Sequence, residues 1–420
     1  MKKTIALLLC LCMLACLFVG CASTSTTEQQ TSETTTTTTT TTETATSESG
    51  NKVLKIGIFE PLTGDNGAGG KQETLGPQYG NYVQPTIEIG GETYDIQLEI
   101  VDNRTTAENG PSAASELVNR GVSIVLGSYG SGVSMAGGKV FEEAGIPAIG
   151  IGCTNPQVTL GNDFYFRVCF LDPFQGTVMA NYAYATKGCQ KAYVIYQNGD
   201  DYSTGLANYF MQAYKGEVVG QSTFNTNESD FNAYITAAKA TNPDVVFVPS
   251  SIQTASLFIK QAREAGLDCA IMAGDTWENQ TIIDNAGKDN ATNVYLSTFF
   301  DENDSGAADF VKGYKEFLNS DNANLTLNGG NDVVAAVSAL GYDAYMTLVE
   351  ALRKVDPANV NSVAIRDALK TVSFTGVTGS ISFDENGDTK KDTAFIKEMA
   401  DGAFKFLGTQ KTDGSFNAAN

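Results

Sequence analysis

From Lys52 onward the sequence alternates strand-like and helix-like segments, and it does so in two separate series. In the first, VLKIGIF (53–59), YDIQLEIVD (94–102), VSIVLG (122–127) and IPAIGI (146–151) read as strands. GPSAASELVNRG, with Pro111 in its first turn and Gly121 after its end, and SMAGGKVFEEAG read as the helices between them. The second series sets KAYVIYQ (191–197), EVVGQSTFN, PDVVFVPS and CAIMAG against the helical segments STGLANYFMQAYKG, SDFNAYITAAKATN and QTASLFIKQAREAG. This repetition predicts an α/β fold of two Rossmann-like lobes, each a parallel-sheet core flanked by helices. The series change over near FRVCFLDPFQG (166–176). Helical patterns return at 304–319, 331–354 and 359–370, and the segment from Gly379 on reads as a hairpin-like tail.

The N-terminus sets the compartment. Lys2 and Lys3 precede an apolar run from Ile5 to Val19, followed by Gly20 and Cys21. This order describes a secretory leader over residues 1–20. FVGC resembles a lipobox, with Phe18 where that box usually has leucine, which makes Cys21 the expected lipidation site. The alternative is a plain secreted protein in which Cys21 is incidental. Residues 21–51 then form a spacer rich in Thr and Ser without a large apolar side chain, which cannot offset the entropy of ordering. A lipid on Cys21 would hold the chain at the outer face of the cytoplasmic membrane. The formal charge of −21 argues against nucleic acid. Beyond the leader and Cys21, the cysteines are Cys153, Cys169, Cys189 and Cys269, widely spaced and without a C-x-x-C, so no metal site is expected and any pairing stays open.

Ligands of open α/β sheets bind at the carboxyl ends of strands, so the loops there are the candidates. GSYGSG (127–132) follows a strand pattern and opens a helix; glycine permits close approach, and free helix-end amides favour an anion. Ser131 and Tyr129 lie in it. The loop lacks both the P-loop ending and a G-x-G-x-x-G, so it suits a carboxylate better than a nucleotide, and no cofactor is expected. GIGCTNP (150–156) carries Gly152 and Thr154. QNGDDYSTGL places Tyr202 at a helix start, where Ser203 is equally a cap, and MAGDTWEN places Asp275 and the sole Trp, Trp277, at a strand end. An aspartate there either caps a helix or faces a ligand.

The ordered set KIGIFEPLTG, VDNRTTAENGPSAASELVNRGVSIVLGSYGSG, FEEAGIPAIGIGCTNP, YFRVCFLDPFQG, DDYSTGL, IKQAREAGLD and GSISFDENGD resembles the leucine/isoleucine/valine-binding proteins of ABC importers, within the type I periplasmic binding protein superfamily. The resemblance implies a three-crossing hinge near 170–173, 299–302 and 377–381. It implies one lobe of 52–171 plus 302–378 and another of 172–301 plus 379–420. It also implies a ligand carboxylate on Ser131 and Thr154, an ammonium on Gly152 and Asp275, and Tyr202 from the second lobe. Gly69 and Ser251 stand where relatives have aromatic walls; Tyr129 and Trp277 are candidates to refill that space. In DENGDTKKD, Asp384, Asn386 and Asp388 are spaced like a calcium loop, but Thr389 and Phe395 break it, and an Asn386–Gly387 turn is the better reading.

The expected function is therefore capture of an amino acid, branched-chain-like or a related small zwitterion, by a monomeric binding protein that serves an ABC permease and ATPase. A clamshell sensor for a signalling receptor is the alternative, as is a non-amino-acid carboxylate or amide ligand. Catalysis is disfavoured: the chain has no histidine and no G-x-S-x-G.

Overall fold

The computed structural model describes residues 50–303 and 305–419. The expected leader, Cys21 and the spacer up to residue 49 lie outside the described residues. Among the described residues no helix is long and apolar enough to cross a membrane.

The chain opens with β1 (Lys52–Glu60), α1 (Gly67–Val83), β2 (Thr86–Ile89), β3 (Glu92–Asp102), α2 (Gly110–Asn119), β4 (Ile124–Leu126), α3 (Ser131–Glu143), β5 (Ala148–Gly150) and β6 (Tyr165–Arg167). These strands form one sheet in the order β2-β3-β1-β4-β5-β6, parallel except where β2 meets β3. The chain then passes through α4 (Asp172–Asn181), β7 (Lys191–Gln197), α5 (Asp201–Ala213), β8 (Glu217–Phe224), α6 (Asn232–Ala240), β9 (Val245–Phe247), α7 (Ile252–Glu264), β10 (Ala270–Ala273), α8 (Gln280–Ala286) and β11 (Val294–Thr298). It continues with α9 (Ala308–Ser320), α10 (Asn322–Leu327), α11 (Ala336–Leu352), α12 (Ser362–Leu369), the hairpin β12 (Ser373–Gly376) and β13 (Gly379–Ser382), and the tail strands β14 (Ala394–Ala400), β15 (Ala403–Gln410) and β16 (Phe416–Ala418). The second sheet runs β16-β15-β14-β11-β10-β9-β7-β8; its tail strands pair antiparallel and the rest pair parallel.

The central strands explain themselves. In β4, β5, β9 and β10 every residue is buried, as a parallel strand covered on both faces requires. Helix α1 does not. It holds five glycines and Pro77, a poor helical composition. Tertiary packing overrides the propensity: a Cβ at Gly76 would lie 2.3 Å from the Ser338 carbonyl oxygen of α11. The missing side chain lets α1 and α11 approach backbone to backbone.

Two buried ion pairs fix the hinge side. Arg167, at the end of β6, is fully buried and holds Asp388 Oδ1 through Nε at 2.5 Å. Its Nη1 donates to the carbonyls of Cys153 (2.8 Å) and Asn155 (2.6 Å), and Nη2 donates to Thr159 Oγ1 (2.8 Å). Lys397 of β14 reaches Glu278 Oε1 (2.5 Å) and Asp301 Oδ2 (3.1 Å). Because Asp388 is tied to β6 while β14 begins in the other sheet at Ala394, the third passage between sheets falls at 389–393, downstream of the expected 377–381. The DENGD segment is a turn, with Gly387 at φ +84° and Asp384 Oδ1 accepting from the Asn386 and Asp388 amides. Among the described residues no cluster suited to a metal is present, and Cys153, Cys169, Cys189 and Cys269 are free thiols.

Replacing Arg167 with Met leaves the buried Asp388 carboxylate and two loop carbonyls without their donor. The unfolding free energy from urea denaturation should fall by about 3–5 kcal/mol; an unchanged midpoint would show that the pair contributes nothing net.

Candidate functional site

The loops after β1, β4 and β5 meet those after β7, β9 and β10 along the seam between the lobes. In the first lobe the glycine loop is shaped by its own hydroxyls. Asn103 Nδ2 donates to Ser128 Oγ (2.8 Å), and Ser134 Oγ donates to the Gly130 carbonyl (2.7 Å). Ser131 is the first residue of α3, and its Oγ accepts from the Asn155 amide at 3.2 Å. That arrangement leaves its hydroxyl proton to donate, beside the unpaired amides of the first helical turn. Thr154, fully buried, has a hydroxyl with no hydrogen-bond partner. Gly152 presents its amide to Glu73 Oε1 (3.3 Å).

In the second lobe Asp200, not Ser203, caps α5: its side chain accepts from the Ser203 amide at 2.7 Å. Ser203 Oγ accepts from the Gln197 amide and donates to the Pro249 carbonyl, so this hydroxyl ties the loop instead. Tyr202 then turns into the seam, its hydroxyl donating to Asp275 Oδ1 at 3.2 Å. Asp275 also accepts from Gln175 Nε2 (2.8 Å) and caps no helix; α8 is capped by Asn279. Ser251 caps α7 through the Thr254 amide.

The lobes are shut on each other. Tyr129 donates from its hydroxyl to the Thr276 carbonyl (3.3 Å), Asn155 Nδ2 to the Asp201 carbonyl (2.8 Å), the Ile252 amide to Asn66 Oδ1 (3.1 Å) and Asn279 Nδ2 to Gln72 Oε1 (2.8 Å). A cavity of about 140 Å³ remains at the seam, lined by Tyr129, Ser131, Asp201, Tyr202, Ser251 and Thr276 among others. Tyr129 occupies the space over Gly69: a Cβ there would lie 2.5 Å from the ring. Gly152, Thr154 and Asp275 lie outside the cavity's lining, and so does Trp277. It is fully buried, with its indole N–H on Ser250 Oγ at 3.2 Å, and serves the core of the second lobe.

The seam is acidic beyond what the sequence motifs indicated. Glu60, at the end of β1, accepts from the Tyr129 amide through Oε2 (2.9 Å) and lies against Glu73; both are fully buried. Burial pushes both pKa values up, and two carboxyls in such contact share a proton. Burial lifts Asp172 to about 8, opposed by the nearby Thr154 hydroxyl and reinforced by the Asp275 charge. Neither Asp172 oxygen has a hydrogen-bond partner of acceptable geometry. Asp275 rises to about 6 through burial, held down by its bonds from Gln175 and Tyr202. Glu60, Glu73, Asp172 and Gln175 are buried polar residues near the seam that no motif announced. The available signals were a carboxylate closing a strand in IFEP and two polar residues within the lobe changeover, LDPFQG.

Residues 53–403 match the family described as periplasmic binding protein. The chain belongs to that family. It is 28% identical over 365 residues to Leu/Ile/Val-binding protein homolog 1 of Brucella abortus, covering 84% of this chain and 92% of that protein. Its fold is similar to the crystal structure of a leucine binding protein, LivK, from Thermotoga maritima (TM-score 0.77, 30% identity, 86% of this chain and all of that one). It is similar also to the branched-chain amino acid transporter substrate binding protein LivJ from Streptococcus pneumoniae in complex with isoleucine (TM-score 0.76, 29% identity, 87% of this chain and all of that one). The two-lobe α/β fold and the kinship with branched-chain amino acid ABC transporter binding proteins are thereby established; the family is one of solute-binding proteins rather than enzymes.

The raised carboxyl pKa values give a signed pH dependence. The folded, ligand-free protein holds protons on Asp172 and Asp275 that the unfolded chain has released, so stability falls as pH rises from about 4 to about 8. Each such group contributes about 1.4 kcal/mol per pH unit within its window. Thermal unfolding of the ligand-free protein should show a lower midpoint at pH 8 than at pH 5.5. Asp172→Asn should make the upper part of that slope shallower, Glu73 supplying the remainder; an identical slope in the variant would mean that Asp172 is ionised throughout.

Proposed function

We propose that this protein is the substrate-binding component of an ABC importer, anchored by a lipid on Cys21 outside the cytoplasmic membrane, and that it delivers an amino acid to a membrane permease. The ligand lies between the two lobes. Its carboxylate meets the Ser131 hydroxyl, the Thr154 hydroxyl and the first amides of α3. Its α-ammonium meets Asp275 and Gly152, with Tyr202 and Tyr129 closing over it.

The observation that carries this reading is Asp275. It is 2% exposed, it stands at the seam of two lobes, and among the described residues no lysine or arginine pairs with it. A buried carboxylate held only by neutral donors is set for a cation that arrives with the ligand. Shutting the lobes removes water from that pair and strengthens it, and the closed shape is what a permease can tell from the open one. The isoleucine complex of LivJ and the leucine binding protein LivK support an amino-acid ligand.

A thermal-shift screen of amino acids finds the ligand, because a compound that binds only the folded form raises the midpoint. Calorimetry with that ligand should then show Asp275→Ala weaker by about 2–5 kcal/mol. Wild-type affinity in the variant removes Asp275 from the site. For the anchor, Cys21→Ser should shift the protein from the membrane fraction to the soluble extracytoplasmic fraction; retention on the membrane overturns lipidation at Cys21.

A further inference from the structure

Four acidic side chains are buried along the shut seam. Glu60, Glu73, Asp172 and Asp275 are all between 0% and 2% exposed. They belong to one connected set of groups. Glu60 Oε2 takes the Tyr129 amide, Tyr129 reaches the Thr276 carbonyl, and Thr276 adjoins Asp275. Glu73 takes the Gly152 amide, and the loop continues to Thr154, whose carbonyl accepts from the Asp172 amide at 2.9 Å. Gln175, one helical turn on, bonds Asp275.

No cation answers them. Among the described residues the buried Arg167 is committed to Asp388 and to loop carbonyls, and the buried Lys397 to Glu278 and Asp301. Among the described residues only two backbone amides reach the Glu60–Glu73 pair, and Glu60 Oε1 and Glu73 Oε2 are buried without a hydrogen-bond partner of acceptable geometry. A second, independent observation concerns hydrogen bonding. Gln175 Oε1 is buried without a partner, and the Asp172 carboxyl has only the nearby Thr154 hydroxyl. Unpartnered buried acceptors are costly unless something supplies donors. A branched aliphatic side chain supplies none, and it would leave the Glu60 and Glu73 carboxyls against hydrocarbon.

We propose that the cleft selects an amino acid whose side chain ends in a second cationic nitrogen, an ω-ammonium or a guanidinium, held against Glu73 and Glu60 while the α-ammonium meets Asp275. This rests on the amino-acid reading given above. Glu73 is a specificity-determining residue in this arrangement, and Glu60 positions it by sharing its proton. The additional N–H donors of such a ligand also meet the acceptor-rich wall formed by Asp172 and Gln175. Tyr129, whose ring stands between Gly69 and the second lobe, covers the aliphatic stem of the side chain.

Calorimetry at pH 7.5 and physiological salt tests this with L-lysine, L-ornithine, L-leucine and L-norleucine, the last being lysine without its ω-amine. Lysine or ornithine should bind at least about tenfold tighter than norleucine. Glu73→Gln should bring the lysine-to-norleucine affinity ratio close to one, and Glu60→Gln should lower it; cooperative thermal unfolding of both variants confirms that they fold. If leucine or norleucine binds as tightly as lysine and ornithine, or tighter, the second cation is refuted while the amino-acid reading stands. If a lysine preference survives in Glu73→Gln, the assignment of the ω-group to Glu73 is refuted. If neither these four nor L-arginine binds while another amino acid does, the second cation is refuted and the amino-acid reading stands; if no amino acid binds, both fall.

Discussion

The guanidinium of Arg167 is the interaction on which the rest of this structure depends. It ends the last strand of the first sheet, and its donors reach backwards to the carbonyls of Cys153 and Asn155 and forwards to Asp388. One fully buried cation thus fixes the loop that carries Gly152 and Thr154 and also pins the segment from which the chain makes its last passage to the other lobe. A planar group with five donors in a fixed fork suits this task; a lysine could not address the loop and the hinge together. The cleft is therefore shaped from behind by charge and hydrogen bonding, while its front is shaped by the lobes closing.

The same separation governs the chemistry. The buried cations Arg167 and Lys397 are each already engaged by carboxylates, while Glu60, Glu73, Asp172 and Asp275 are buried without a cation among the described residues. Water cannot screen them once the lobes are shut, and burial accordingly pushes the Glu60, Glu73 and Asp172 carboxyls well above the usual carboxylate range. Asp275 is the exception. Neutral donors from Gln175 and Tyr202 lower its pKa enough for it to be largely ionised at pH 7. One site thus holds carboxyls in different protonation states a short distance apart, and their environments decide which is which.

Much of this was legible in the sequence. The alternation of apolar strands with amphipathic helices disclosed both sheets, because strands covered on two faces are unbroken apolar runs. The loops GSYGSG, GCTNP, DDYS and GDTW were identifiable because each follows such a run, and all four reach the seam. What the sequence hid has physical causes. Helix α1 was illegible because its glycines serve the approach of α11, a tertiary demand that opposes local propensity. Glu73 lies on that same helix and was lost with it. The tail was expected to cross between lobes earlier because nothing local reveals that Asp388 is held by a residue 221 positions away. Trp277, a reasonable wall by its position after a strand, is turned inward because Ser250 offers its indole a buried acceptor.

Tyr129 draws these threads to one place. Its backbone amide rests on Glu60, its ring fills the notch above Gly69, and its hydroxyl touches the opposite lobe at Thr276. The residue whose amide rests on the acidic floor is therefore also one of those that bridge the lobes, so the floor and the closed seam share a short covalent connection.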